Sequence, residues 1–236
     1  MEEFQRTRRL LGDAAMDRLR LCRVAVFGIG GVGGYVAEAL ARSGVGALEL
    51  FDDDVVAVSN LNRQIVALRS TLGRPKVEVM AERIADICPD TQAVPHRLFY
   101  TPETAGQVDL SRFDYVVDAV DTVAAKLELA ERAAALGVPI ISAMGAGNKL
   151  DPTQLTVSDI YKTSGCPLAR VMRRELRKRG VKRLKAAWSP EMPIQPLADD
   201  EAPGPHPRRA TPASAIFVPA AMGLAIAAEV VRELAM

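Results

Sequence analysis

Cysteine and histidine are scarce in this chain. Its 236 residues hold three cysteines, Cys22, Cys88 and Cys166, and two histidines, His96 and His206. The cysteines are far apart and no Cys-x-x-Cys occurs. A disulfide scaffold and a four-cysteine zinc site within one chain are therefore excluded. That usage fits a reduced, cytoplasmic setting. The N-terminus is charged (Glu2, Glu3, Arg6, Arg8, Arg9) and lacks the apolar core of a signal peptide. Net charge is nearly absent: 30 Lys and Arg against 29 Asp and Glu leave +1. No overall field points to nucleic acid, so any such signal must be local. Long apolar runs are missing too. The longest uncharged stretch, 210–228, is alanine-rich and broken by Pro212, Pro219 and Gly223, which reads as a buried helix and not a membrane span. No internal repeat is visible.

What is present is enough apolar residue, 49%, to fill a core. The length suits a single domain over 1–236. The organising stretch is Gly28-Ile29-Gly30-Gly31-Val32-Gly33. An apolar run, Val24-Ala25-Val26-Phe27, precedes it, and a helical pattern over 36–42 follows. Strand, glycine turn and helix together are the context of a nucleotide-binding site. Glycines let the chain turn tightly, and the helix start offers free N–H groups to a phosphate. Gly28, Gly30, Gly31 and Gly33 are the candidate binding residues. The turn alone admits NAD, FAD or ATP.

Residues 4–21 read as one amphipathic helix or two short ones. A second strand at 47–51 ends in Asp52-Asp53-Asp54. Asp52 lies 19 residues past Gly33, where a ribose-binding acid is expected. Three adjacent acids repel, so a sugar hydroxyl, a metal, a cation or solvent must offset them. Next come Ser59-Asn60-Leu61-Asn62-Arg63-Gln64 and Gly73-Arg74-Pro75-Lys76, the latter opening a helix over 77–87. A nicotinamide site needs no such grouping of Arg63 and Lys76. A nucleoside triphosphate does, because its charge must be neutralised before a phosphoryl oxygen is attacked or leaves. A solvated surface lysine is the plainer account of Lys76. Strands are expected at 93–98, 115–118 and 139–144, a short helix near 102–104, and a helix over 123–136. Asp118 and Asp121 flank the carboxyl end of a central strand, so one of them is a candidate magnesium ligand. Asp121 as a helix N-cap is the alternative. Strands and helices alternate, which predicts an α/β fold: a Rossmann-like, mostly parallel sheet with helices on both faces and a C-terminal antiparallel/crossover extension.

A helix expected over 168–179 carries apolar Leu168, Val171, Met172 and Leu176 on one side. Arg170, Arg173, Arg174, Arg177 and Lys178 lie opposite, and Lys182, Arg183 and Lys185 follow. Between 170 and 185 there are nine basic residues and one acid, Glu175, too one-sided for paired surface charge. That reads as a nucleic-acid surface gripping phosphates, with Tyr161 and Trp188 as the available stacking rings. Cys166 sits at this helix start, where a thiol pKa is lowered; it is a candidate nucleophile or an incidental cysteine. Residues 190–212 hold seven prolines and read as a mobile loop within the domain. The last helix is expected over 216–234, with Pro219 in its first turn.

In this order, the glycine turn, Asp52 with Ser-Asn-Leu-Asn-Arg-Gln, Gly-Arg-Pro-Lys and Asp118-Ala-Val-Asp121 resemble the ThiF/MoeB/HesA adenylyltransferases, relatives of the ubiquitin-activating enzymes. Within them, three features are similar to the tRNA threonylcarbamoyladenosine dehydratases. These are the missing zinc cysteines, the segment from Lys162 to Arg170, and the tail from Ser214 through Pro219 and Gly223 to Glu229. The resemblance implies ATP and Mg2+. It places Gly30 and Gly31 along the phosphates, Asp52 on the ribose, and Asn60, Arg63 and Lys76 on phosphates or the adenylated carboxylate. It gives Asp121 to magnesium. Arg9 would reach across a homodimer into the partner's ATP site. The implied reaction adenylates the threonyl carboxylate of threonylcarbamoyladenosine beside the tRNA anticodon; an internal nucleophile then closes a ring and expels AMP. Other branches of the family imply a sulfur-carrier protein as partner and a reactive cysteine in the region of Cys166.

Overall fold

Short runs rich in Val, Leu, Ile and Phe build the strands, and the sheet they form decides where a ligand can sit. The computed structural model describes residues 2–197 and 212–236. Its strands are β1 (Arg23–Phe27), β2 (Ala47–Phe51), β3 (Gln92–His96), β4 (Tyr115–Asp118), β5 (Ile140–Ala143), β6 (Thr156–Asp159) and β7 (Lys185–Trp188). Its helices are α1 (Gln5–Leu11), α2 (Asp13–Leu21), α3 (Gly33–Arg42), α4 (Lys76–Ile87), α5 (Val123–Leu136), α6 (Pro167–Lys178) and α7 (Phe217–Ala235). One sheet runs in the order β3-β2-β1-β4-β5-β7-β6. Every neighbouring pair is parallel except β6–β7.

Because β1, β2 and β4 are buried on both faces, alternate residues feed separate cores. Val24, Val26, Leu48, Leu50 and Val117 pack with α3, α4 and α7 through Leu40, Met80, Ile84, Met222 and Ile226. Ala25, Phe27, Phe51 and Val116 face the other way, onto Leu110, Leu129 and Ala133. Beside them, Ala186 and Trp188 join Met172 and Leu176 of α6. Gly223 allows α7 to lie on the start of α3: a Cβ there would stand 2.5 Å from Val32 O.

The expected elements are present, with shifts that have local causes. Residues 4–21 form two helices because Gly12 breaks them at φ +86. β3 stops at His96 and not at 98, since Leu98 N–H donates to His96 O and turns the chain toward buried Tyr100. No helix forms over 102–104. Thr104 Oγ1 accepts Thr101 N–H at 2.9 Å, and side-chain bonds of this kind compete with helix. A short 3-10 turn follows at Ala105–Gln107 instead. The antiparallel pair β6–β7 is the antiparallel part of the expected C-terminal extension, at positions for which the sequence gives no range. Residues 198–211, the middle of the expected proline-rich loop, lie outside the described residues. The flanks meet at Asn148, whose N–H donates to Ala213 O while its carbonyl accepts from Ile194 N–H. Among the described residues, no helix is long and apolar enough to cross a membrane.

Candidate active site

Sequence order along the sheet reverses between β1 and β4, and an open α/β sheet binds ligands at the carboxyl ends of strands at such a point. Two turns meet there. The glycine turn leaves β1, and residues 119–122 leave β4. Gly28 has φ +87, and a Cβ on it would stand 2.6 Å from Ala119 O. A Cβ on Gly33 would stand 1.8 Å from Gly28 O. These two glycines are required by the protein itself. Gly30 and Gly31 are not: their nearest neighbours to a Cβ are Gln64 Nε2 at 3.8 Å and Pro219 Cβ at 3.4 Å. Bare backbone without an internal reason suits the close approach of an outside group.

Asp52 closes the loop from β2. Its Oδ2 accepts Ile29 N–H at 2.7 Å and its Oδ1 accepts Asp54 N–H at 2.9 Å. A carboxylate has about four acceptor positions, so two stay open for a pair of hydroxyls. Burial pushes the Asp52 carboxyl above the ordinary range, against the pull of Lys76 and the two backbone donors. Lys76 is not a solvated lysine. It is 4% exposed, and its Nζ donates to Asp54 Oδ2 at 2.6 Å. The acidic triplet is thus offset by a cation and by backbone N–H groups, although its three carboxylates lie within 4.8 Å of one another.

Asn60 holds its own loop, accepting Ala57 N–H at 3.1 Å through Oδ1. Arg63 is half-buried and folds back on Ser59 O at 2.8 Å and Asn62 Oδ1 at 3.0 Å. Gln64 closes the same motif, where sequence alone gives it no role. It is 8% exposed, lies beside Gly30, and among the described residues its Oε1 is buried without a donor. Its signal in the sequence is only its place after Arg63. Asp118 is 0% exposed and tied to Lys126, which removes it as a metal ligand. Asp121 is exposed, and Thr122 holds the α5 N-cap position, so Asp121 does not cap that helix. Asp121 is left as the carboxylate that could take a cation.

The other expected residues are placed apart from these. Arg9 lies on α1, which has Phe4 before it packed at Gly44, the far end of α3 from the glycine turn. Cys166 does stand at the N-cap of α6, but it is 3% exposed against the backbone of Gly145 and is not presented to solvent. The basic helix divides. Arg173 turns inward and donates to Thr163 O at 2.9 Å. Arg174, Lys178 and Arg179 gather on Glu175, whose carboxyl they pull down to about 2. Arg177 lies over the Tyr161 ring at 5.1 Å. Arg170, Lys182 and Arg183 are exposed. Lys185 belongs to β7 and pairs with Glu229 at 2.6 Å, and Trp188 is 7% exposed, with Nε1 donating to Ser158 Oγ at 2.9 Å. Neither serves an outer surface. A cavity of about 1260 Å³ is also away from the site: Tyr115, Ile140 and Lys185 in its lining begin β4, β5 and β7, at the opposite edge of the sheet.

Comparison with known proteins agrees with this geometry. The tRNA threonylcarbamoyladenosine dehydratase of Bacillus subtilis is 42% identical over 99% of this chain and 95% of its own length. A crystal structure of the Escherichia coli tRNA N6-threonylcarbamoyladenosine dehydratase in complex with AMP superposes with a TM-score of 0.89 at 35% identity, covering 99% of this chain and 94% of that one. The same enzyme in complex with ATP gives 0.87 at 34% identity, covering 99% and 93%. The ThiF family model matches residues 4–235, and the chain belongs to the ThiF family.

Proposed function

We propose that this chain is an ATP-dependent tRNA threonylcarbamoyladenosine dehydratase, acting in the cytoplasm as a homodimer with one ATP-binding domain per chain. The observation that carries the reading is the join of the Gly28–Gly33 turn to Asp52 through the Ile29 N–H bond at the switch point of the sheet. The near full-length similarity to dehydratases, one of them seen with ATP and with AMP, supports it.

A carboxylate reacts poorly with nucleophiles because its leaving group is oxide. Transfer of AMP to the threonyl carboxylate cures this: a carboxylate oxygen bonds to the α-phosphorus and pyrophosphate departs. An internal nucleophile of the threonylcarbamoyl group then bonds to the carboxyl carbon, and AMP leaves with that oxygen. Water is lost overall. The open acceptor positions of Asp52 hold the ribose hydroxyls. Backbone N–H groups at the α3 start face the phosphates, where the helix dipole favours negative charge. Arg63, Asn60 and Lys76 stabilise charge building on phosphoryl oxygens. Asp121 is the ligand for Mg2+, which would neutralise the phosphates. Ring closure is intramolecular, so no protein thioester is needed, in keeping with the buried Cys166. Arg9 completes the partner's site across the dimer. Arg170, Arg174, Arg177, Lys178, Lys182 and Arg183 form the tRNA surface, with Arg173 supporting it from inside.

The test incubates the protein with ATP, Mg2+ and tRNA bearing threonylcarbamoyladenosine. The nucleoside should lose the mass of one water with release of AMP. An unchanged nucleoside, with pyrophosphate release on adding a sulfur-carrier protein instead, would overturn the reading.

A further inference from the structure

Under the two turns of the site lies a charged cluster that the chemistry above does not use. Lys126 on α5 is 1% exposed, and Asp118 and Ser142 are 0% exposed. Lys126 Nζ donates to Asp118 Oδ1 at 3.1 Å, to Ser142 Oγ at 3.4 Å and to Ala143 O at 2.7 Å. All three ammonium hydrogens are used. Ser142 Oγ donates to Asp118 Oδ2. A buried ion pair is a poor device for stability, since apolar residues of like volume often serve as well or better. Its placement gives another account.

Asp118 ends β4, and its Oδ1 also accepts Val120 N–H at 3.3 Å. That bond folds residues 118–120 into a turn. The turn presents Ala119 O to Gly28 at the close approach only glycine allows, and Ala119 N–H donates to Phe27 O at 2.8 Å. Asp121 follows on the same turn. On the other side, Ser142 and Ala143 end β5, and Gly145 just beyond it packs beside Cys166 and Leu168 at the start of α6. One ammonium thus bridges the ATP side of the sheet and the side that carries the basic helix.

We propose that Lys126 is a positioning residue of the ATP site. With Asp118 and Ser142 it sets the 119–122 turn against the glycine turn and keeps both in register with the end of β5. This rests on reading the glycine turn as an ATP site. Loss of the cluster therefore loosens nucleotide binding more than it loosens the fold.

Two variants test this. Ser142→Ala removes the hydroxyl bridge and keeps the ion pair. Lys126→Met with Asp118→Asn removes both charges together, leaving no lone buried ion. ATP binding is measured by calorimetry, amide hydrogen exchange on the ligand-free protein, and KM for ATP and for tRNA at steady state. The double variant should bind ATP about tenfold more weakly, and Ser142→Ala about three- to fivefold. Exchange should quicken at Ile29 and Val120 while Leu48 and Leu50 in β2 keep their protection. KM for ATP should rise with KM for tRNA unchanged. ATP affinity within about twofold of wild type in the folded variants would overturn the proposal, as would protection lost evenly across the sheet. If the double variant does not fold, Ser142→Ala decides alone. A wild-type chain that binds no ATP refutes the site itself, whereas one that binds ATP but leaves tRNA unchanged refutes only the dehydratase reading.

Discussion

Two glycines three residues apart should respond to alanine in opposite ways. At Gly33 an added Cβ would stand 1.8 Å from Gly28 O, a backbone atom that cannot withdraw without opening the turn. Overpacking costs about 1–3 kcal/mol, and a backbone collision belongs at the upper end. In a chain of this size each kcal/mol moves Tm by about 2–4 °C, so Gly33→Ala should lose about 6–12 °C. At Gly30 the nearest atom is 3.8 Å away and φ is not positive. Alanine there restricts the unfolded chain and should add about 0.4–1 kcal/mol, leaving Tm level or about 1–4 °C higher. The same methyl fills the space through which a phosphate would reach the backbone. ATP affinity should fall about tenfold or more, which is about 1.4 kcal/mol. Calorimetric melting of the ligand-free protein and ATP titration read both effects. Gly30→Ala that binds ATP like wild type would refute the phosphate cradle. Gly33→Ala with an unshifted Tm would refute the packing account of the turn.

Asp52→Asn should weaken ATP binding. Burial raises the Asp52 pKa, so wild-type stability should fall as pH rises from the ordinary aspartate value of 3.8 to that raised value and stay lower above it, a fall the variant should lack. A variant whose Tm falls by as much over the same pH window would refute that cause. Reversing charge at Arg170, Lys182 and Arg183 should weaken tRNA binding and flatten its salt dependence by about one unit of slope for each phosphate no longer gripped, in filter-binding titrations. Arg173→Ala should lower Tm instead, because it gives up bonds to Thr163. Arg9→Ala should abolish turnover while tRNA binding holds, and mixing it with a Lys76→Ala chain should restore part of the activity if Arg9 serves the partner. No restored activity in the mixed dimer would remove the cross-dimer role.

The features readable along the chain are those set by local chemistry. Val24–Phe27 and the glycines announce β1 and its turn without help from tertiary packing, and Asp52 follows from distance along the chain. What is not legible depends on where elements meet. Asp118 and Asp121 are equivalent carboxylates in sequence; only the placement of α5, which brings Lys126 up to Asp118, makes one buried and leaves the other open. Lys76 looks like a surface lysine until Asp54 is folded over it. Thr156–Asp159 and Lys185–Trp188 are four-residue strands with too little alternation to stand out, and they exist because the second pairs with β5 and the first pairs with the second. Lys185 accordingly reads as part of a basic patch when it is held by Glu229 and Glu233.

The position of β7 also governs the order in which the chain can be assembled. After β5 the chain travels to the rim to make β6, returns through α6, and only then fills the gap with β7. Until residue 188 has been synthesised, β6 has no strand to bond with, and the exposed flank of β5 is an open edge. An open edge is a template for pairing with another chain. A ribosome stalled, or a gene truncated, just before Lys185 therefore releases a nascent chain that already has its nucleotide turn but is prone to aggregate along β5.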